Sequence, residues 1–176
     1  MPQTPFLIAY FSQPGQNYVN GNIVNLPVGN TAIVVKKLQV LTGGDLLHIE
    51  QQRQYPEDYH KLTEVAKQEL RESARPALKT AIPDISSYNF LLLGYPNWWG
   101  TMPMAVWTFL EAIDTRNKKI APFCTNEGSG MGRSEKDLRK LCPDAEILQG
   151  LSIIGHEAGQ SDAMLEKWTR QLGITG

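Results

Sequence analysis

The chain has little of what marks a membrane, metal-binding or nucleic-acid-binding protein. Its 176 residues include two cysteines and three histidines, and neither type shows a metal-ligand spacing. Its longest apolar runs are far shorter than the ~20 residues that cross a bilayer. The 17 basic and 18 acidic residues form no block of like charge. We therefore expect no metal site, no membrane span and no nucleic acid as a main partner.

Targeting and disulfide signals are also absent. No basic segment precedes the first apolar stretch, and Phe6 to Phe11 is too brief for the core of a signal peptide. We therefore expect a cytoplasmic location. Cys124 and Cys142 form no C-x-x-C pair, and because free cysteines are usually buried we expect two buried or semi-buried free thiols.

What the chain does contain is an alternation of short apolar runs with amphipathic stretches. Strands are predicted at 6–11, 45–50, 90–93, 120–124 and 147–154, the last interrupted at Gly150. Helical stripes fall between and after them: Val34, Leu38, Leu41; Leu62, Val65, Ala66, Leu70; Val106, Phe109, Leu110, Ile113; Leu138, Leu141; and Leu165, Trp168, Leu172. This rhythm predicts one α/β domain over residues 1–176, with a parallel sheet covered by helices on both faces.

Three local features refine this prediction. Asp58 is a candidate cap for the second helix, and Ser134-x-x-Asp137 resembles a capping box for the fourth. Ser12 to Asn30, rich in Gly, Asn and Pro, is expected to be a loop. Because connections of this kind usually have ~2–6 residues, a loop this long is expected to be functional.

Ligands of open α/β sheets bind at the carboxyl ends of the strands, so the loops after the first, third and fourth strands matter most. The first of these contains Ser12 to Asn17 and ends at Val28 to Thr31, where a helix begins. Small polar residues at a helix N-terminus favour an anion such as a phosphate. The alternative is that Asn30 or Thr31 simply caps the helix.

The loop after the third strand carries the strongest local signal, Gly94 to Pro103 with two adjacent tryptophans. Both indoles cannot point inward from one tight turn, so at least one is expected at the surface or against a ligand. An exposed indole suits a planar conjugated ring. The alternative is that Trp98 and Trp99 pack over the end of the sheet. The loop after the fourth strand, Thr125 to Gly132, has small residues that could bind the edge of a heterocycle.

Taken together, these pieces resemble the flavodoxin family over nearly the whole chain. The resemblance rests on Tyr10-Phe11-Ser12, Gly29-Asn30-Thr31, the run from Tyr95 to Pro103 and the run from Asn126 to Gly130. It implies a doubly wound five-stranded sheet of order 2-1-3-4-5 and FMN as the cofactor. It places the phosphate on Ser12, Asn17, Gly29, Asn30 and Thr31, and the isoalloxazine beside Pro96, Asn97, Trp98, Trp99, Gly100, Thr101, Thr125, Asn126, Glu127, Gly128, Ser129 and Gly130.

The resemblance leaves more than one function open, with no catalytic side chain assigned. The first hypothesis is an FMN-dependent electron carrier that serves a redox partner protein. The second is an FMN-dependent NAD(P)H:quinone-type oxidoreductase with a small-molecule electron acceptor. Electron-shuttle flavodoxins are strongly acidic, whereas this chain has a net charge of −1, which favours the second. The third is a flavin-free domain that uses Trp98 and Trp99 as a protein contact.

Overall fold

The structure, a computed structural model, describes residues 6–175. Its strands are β1 (Phe6–Tyr10), β2 (Gly15–Val19), β3 (Asn22–Leu26), β4 (Asp45–His48), β5 (Phe90–Pro96), β6 (Lys119–Asn126), β7 (Glu146–Ile147) and β8 (Leu151–Ile154). Its α-helices are α1 (Asn30–Thr42), α2 (Tyr59–Arg71), α3 (Met104–Ala112), α4 (Ser134–Leu141) and α5 (Asp162–Gln171). A 3-10 helix (Gly155–Gln160) precedes α5.

The main sheet is parallel throughout and runs β4-β1-β5-β6-β7, with β8 also paired to β6. In chain order this is the predicted 2-1-3-4-5, with the fifth strand split into β7 and β8 on either side of the predicted break at Gly150. The strand order reverses beside β1, since β4 lies on one side of it and β5 on the other. The carboxyl ends of β1 and β5 therefore flank the crevice where such folds bind ligands.

Helices cover both faces of the sheet, as predicted. On one face Leu62 of α2, Phe109 of α3 and Leu138 of α4 belong to one buried apolar cluster. On the other face Leu38 of α1 and Trp168 of α5 belong to a second cluster. Because both faces are covered, the central strands are apolar on both sides, which explains their continuous hydrophobic runs.

The segment predicted as a loop over residues 12–30 contains an antiparallel hairpin, β2–β3, so that prediction is wrong for its middle. Asn20 and Gly21 have φ of 47° and 88°, the left-handed pair that a tight two-residue hairpin turn requires. Asn-Gly is the strongest short-range hairpin signal in a sequence, and here it forms the turn. The composition rich in Gly and Asn therefore reflects turn geometry.

The two predicted helix caps had different outcomes. Asp58 caps α2, since its carboxylate accepts a hydrogen bond from the backbone N–H of Lys61 at 3.0 Å, as predicted. The capping box of α4 is wrong because the helix starts at Ser134 itself, whose hydroxyl donates to the carbonyl of Met131. Asp137 instead accepts from the Thr101 hydroxyl at 2.6 Å. A tertiary partner thus replaces the local cap.

Both cysteines are free and buried, as predicted. Within residues 6–175, every helix is too short or too polar to cross a membrane.

Candidate functional site

A cavity of about 340 Å³ lies at the carboxyl ends of β5 and β6, beside the N-terminus of α1. We call it the main cavity, and its size is within the range of small-ligand pockets. Residues from the loops after β1, β5 and β6 line it. Of the predicted site residues, those lining it are Asn17, Asn30, Thr31, Pro96, Asn97, Trp98, Thr125, Asn126, Glu127 and Ser129.

The N-terminus of α1 is open at one end of the main cavity. The N-cap residue is Gly29, which offers no capping side chain, so the alternative in which Asn30 or Thr31 caps the helix is wrong. Ser12 Oγ accepts the backbone N–H of Ala32 at 3.2 Å. The first N–H groups of a helix have no acceptor within it, and the first turn of α1 carries no acidic side chain. The remaining N–H groups are therefore suited to an anion.

Glycine at position 29 is required by the close approach of two chain segments. A Cβ added to Gly29 would lie 2.2 Å from Ser12 Oγ and 2.9 Å from the carbonyl oxygen of Gln13. The loop after β1 is thereby held against the start of α1. A second link joins α1 to β6, because the buried hydroxyls of Thr31 and Thr125 share a hydrogen bond of 2.8 Å.

The Trp-Trp loop is a tight turn between Trp98 and Thr101. The backbone N–H of Trp98 donates to the carbonyl of Thr101 at 2.9 Å. At its centre Trp99 and Gly100 have φ of 58° and 90°. A positive φ is a strained conformation for a large side chain, so the surroundings must hold Trp99 in place.

The two indoles have different environments. Trp98 packs edge-on against the rings of Phe11 and Tyr55, with centroids 5.1 and 5.0 Å away. Trp99 is 46% exposed, donates from Nε1 to the carbonyl of Thr63 at 2.9 Å, and has the ammonium of Lys67 5.1 Å from its ring centroid. The expectation that at least one indole is at the surface is confirmed.

Two asparagines of the predicted site build the loops around the main cavity. Asn126 Oδ1 accepts the backbone N–H groups of Gly128 and Gly130, both at 3.0 Å. Asn97 Nδ2 donates to the carbonyl of Gly130 at 2.9 Å, while its Oδ1 accepts the N–H of Gly100. These bonds hold the loop after β5 against the loop after β6.

The remaining predicted residues lie around the main cavity and do not line it. They are Ser12, Gly29, Trp99, Gly100, Thr101, Gly128 and Gly130. Trp99 lines a neighbouring cleft of about 390 Å³ together with Trp98, and Ser12 lines another cavity. Thr101 is buried and its hydroxyl donates to Asp137, so its side chain links the loop after β5 to α4.

Four residues of the main cavity were not predicted: Gln13, Tyr18, Tyr59 and Gly155. Tyr18 comes from the hairpin, which the Asn20-Gly21 pair could have revealed. Tyr59 begins α2 directly after the cap Asp58, and the Tyr18 and Tyr59 rings are nearly parallel with centroids 6.5 Å apart. Gln13 and Gly155 carried no signal beyond following a strand.

Glu127 connects three segments at the α1 end of the main cavity. Its Oε1 accepts the backbone N–H of Asn20 at the hairpin tip, at 2.6 Å, and lies 3.0 Å from His156 Nδ1. Its Oε2 accepts the N–H of His156 at 3.2 Å. At Gly155 an added Cβ would lie 2.6 Å from Asn30 Nδ2, so the Asn30 side chain packs close to this backbone. Glu127 thus fixes the hairpin over the site.

The lining of the main cavity is polar and carries little charge. Glu127 is the one ionisable carboxylate among the described residues that line it, and no lysine or arginine does so. In the same described region, no group of three or more His, Cys, Asp and Glu side chains could hold a metal ion. Recognition of an anion here would depend on backbone N–H groups and neutral side chains.

Comparison with known proteins gives consistent results. A family model described as flavodoxin matches residues 6–172. Two crystal structures, provisionally described as flavoproteins of Bacteroides eggerthii and Bacteroides uniformis, both have a TM-score of 0.76 at 26% and 25% identity. The alignments cover 96% of this chain and 98% and 99% of theirs.

A third structure has the same fold at lower identity. It is a flavoprotein of Lactobacillus acidophilus in complex with FMN, with a TM-score of 0.69 and 16% identity over 94% of this chain and 99% of the other. No curated protein sequence matches the chain significantly.

Proposed function

Because the chain belongs to the flavodoxin family, we propose that it binds FMN non-covalently in the main cavity and uses it to transfer electrons. The observation that carries the proposal is the N-terminus of α1, where the N–H groups of Asn30 and Thr31 are open, beside a cavity that the loops after β5 and β6 complete. The structural relative from Lactobacillus acidophilus, which was crystallised with FMN, supports the same cofactor.

The residues present fit this cofactor. An anionic phosphate matches the open N–H groups at Asn30 and Thr31, next to Ser12, Asn17 and Gly29. A planar ring system matches the turn from Pro96 to Thr101 and the loop from Thr125 to Gly130. The bound FMN would supply the capacity to take up and release electrons.

The protein's own contribution is binding, orientation and exclusion of water. The Thr31–Thr125 bond ties α1 to β6, and the Asn97–Gly130 bond ties the loop after β5 to the loop after β6, so the segments that line the cavity are held together. Trp98, packed on Phe11 and Tyr55, gives the cavity a rigid apolar wall. Such a wall disfavours charge on a bound ring, because burial of a charge in apolar surroundings costs free energy.

The visible spectrum of the purified protein, before and after addition of FMN, tests the proposal. We expect flavin absorption that stays with the protein on a desalting column. A colourless protein that does not retain added FMN would instead support the third hypothesis, a flavin-free contact domain. Riboflavin, which lacks the phosphate, is the matched ligand control and should bind more weakly because it cannot use the N-terminus of α1.

A second candidate function is reduction of a small molecule by the bound flavin, and the hairpin favours it. The hairpin contributes Tyr18 to the lining of the main cavity and is fixed at two points, Gln16 Oε1 on the N–H of Tyr59 and Glu127 on the N–H of Asn20. A hairpin held beside the cavity hinders docking of a partner protein more than entry of a small substrate. Oxidation of NAD(P)H in the presence of a quinone would support this candidate, and its absence with every acceptor would support the electron carrier.

The proposal includes a cytoplasmic location. Two free buried thiols support it, because disulfides are rare in reducing compartments.

A further inference from the structure

A second cavity, of about 560 Å³, lies beside the main cavity, between the hairpin and the carboxyl ends of β1 and β4. We call it the side cavity. Gln13 lines both cavities, and Gln16 and Leu62 line the side cavity and the cleft that adjoins the main one. Molecules bound in the two cavities would therefore be neighbours.

Neutral amides dominate the polar lining of the side cavity. They are Gln13, Gln16, Asn25, Gln51 and Gln54. Within the described chain the side-chain amides of Gln13, Asn25 and Gln54 have no hydrogen-bond partner. An amide NH₂ donates to carbonyl oxygens, and its oxygen accepts from hydroxyls. The side cavity can thus bind an oxygen-bearing ligand without any charge.

Its charges argue against an anionic ligand. His48 and Glu50 pair with each other at 3.2 Å, and Glu57 is the other carboxylate of the lining. Among the described residues that line the side cavity, none is a lysine or arginine. A pyrophosphate, as in NAD(P)H, would meet carboxylates without a fixed positive charge to balance them.

The side cavity also has an apolar part to its lining. It includes Phe11, Ile49 and Leu62, all of them buried, and the ring of Tyr55, which packs edge-on against Phe11 and Trp98. A lining that combines apolar side chains, an aromatic ring and hydrogen-bonding amides suits a ring compound that bears oxygen atoms.

We propose that the side cavity binds a small, neutral ring compound with carbonyl oxygens, of the quinone class. This inference rests on the proposed function, because it gives the FMN protein a ligand site next to its cofactor. It also gives the hairpin a role, since Gly15, Gln16 and Asn25 form part of the wall of the side cavity.

Calorimetric titration of the FMN-loaded protein with two naphthoquinones tests the ligand class. Menadione is neutral, whereas lawsone has the same ring system and is an anion at neutral pH. We expect menadione to bind with 1:1 stoichiometry and lawsone at least about tenfold more weakly. Equal or tighter binding of lawsone, or no binding of menadione, would overturn the proposal.

Single substitutions then test whether menadione binds in the side cavity. Gln54→Leu should weaken menadione binding about three- to tenfold, as expected for the loss of one neutral hydrogen bond. Gln52→Leu is the matched control, since Gln52 is also exposed, lies two residues away and does not line the side cavity. Gln54→Arg should strengthen lawsone binding. Equal effects at positions 52 and 54 would place the ligand elsewhere.

The FMN spectrum distinguishes failure of the side-cavity proposal from failure of the proposed FMN binding. Neither glutamine lines the main cavity, so both variants should keep the flavin spectrum of the parent protein. Failure of the parent protein to retain FMN would contradict the proposed function. Retained FMN without menadione binding would contradict the side-cavity proposal alone.

Discussion

At the scale of single residues, the hydroxyl pair of Thr31 and Thr125 makes a testable link between α1 and β6. Both residues are buried, at 2% and 4% exposure, so removing one hydroxyl leaves the other without a partner. We expect Thr31→Val to lower the free energy of unfolding by about 1–3 kcal/mol, measured by urea denaturation. Thr125→Val should do the same. The double variant should lose less than the sum, and strict additivity would show that the bond contributes nothing.

A second residue, Glu69, predicts how stability depends on pH. Burial raises the pKa of Glu69, against smaller opposing effects of the Tyr55 hydroxyl and Arg53. The folded state therefore holds this proton at a higher pH than the unfolded chain does, and stability is lost as pH rises through the folded pKa. Glu69→Gln does not titrate, so its stability relative to the parent should increase from acidic to neutral pH.

Thermal unfolding across that pH range measures the effect of Glu69→Gln. Glu64→Gln is the control, because Glu64 is exposed on the same helix. A stability of Glu69→Gln relative to the parent that decreases as pH rises would contradict the sign of the pKa shift.

At the scale of elements, Gly94 decides how β5 and β6 pack. Gly94 pairs with Phe123 across the sheet, and an added Cβ would lie 2.2 Å from Cζ of that fully buried ring. We expect Gly94→Ala to destabilise the fold by about 1–3 kcal/mol in urea denaturation, the usual cost of overpacking. Gly159→Ala is the control, since a Cβ there meets no atom within 4 Å. Equal stability of the two variants would mean that Phe123 moves aside without cost.

Some secondary-structure elements were predictable from the sequence and others were not. β1, β5 and β6 were predicted because burial on both faces makes them continuously apolar. The capping box failed because Asp137 bonds Thr101, a residue 36 positions away that no local pattern reveals. The hairpin was not predicted for a different reason. Asn20-Gly21 was present, but β3 is exposed and lacks the alternation of apolar and polar residues that marks a strand.

The candidate site was predictable in its location but not in all its contacts. The carboxyl ends of the strands were implied by the fold, which is why ten predicted residues line the main cavity. The positions of Trp98 and Trp99 depend on Phe11, Tyr55 and Thr63, which come from other segments of the chain. Sequence alone indicated that at least one indole lies at the surface or against a ligand, and packing decides that Trp99 is exposed while Trp98 is half-buried.

At the scale of the whole molecule, the charge distribution predicts how FMN affinity responds to salt. The chain has a net charge of −1, and no lysine or arginine among the described residues lines the main cavity. A phosphate held by backbone N–H groups at the end of α1 depends on short-range hydrogen bonds, which salt screens much less than it screens exposed charges. We therefore expect the FMN dissociation constant to change less than about threefold between 50 and 500 mM NaCl.

Fluorescence titration with FMN at increasing NaCl concentrations measures this dependence, and riboflavin provides the phosphate-free control. If the phosphate contributes through α1, FMN should bind more tightly than riboflavin at every salt concentration, by a nearly constant ratio. A ratio that collapses at high salt would mean that a lysine or arginine outside the main cavity holds the phosphate. That result would move the phosphate site away from Asn30 and Thr31 while leaving the ring site beside Trp98 intact.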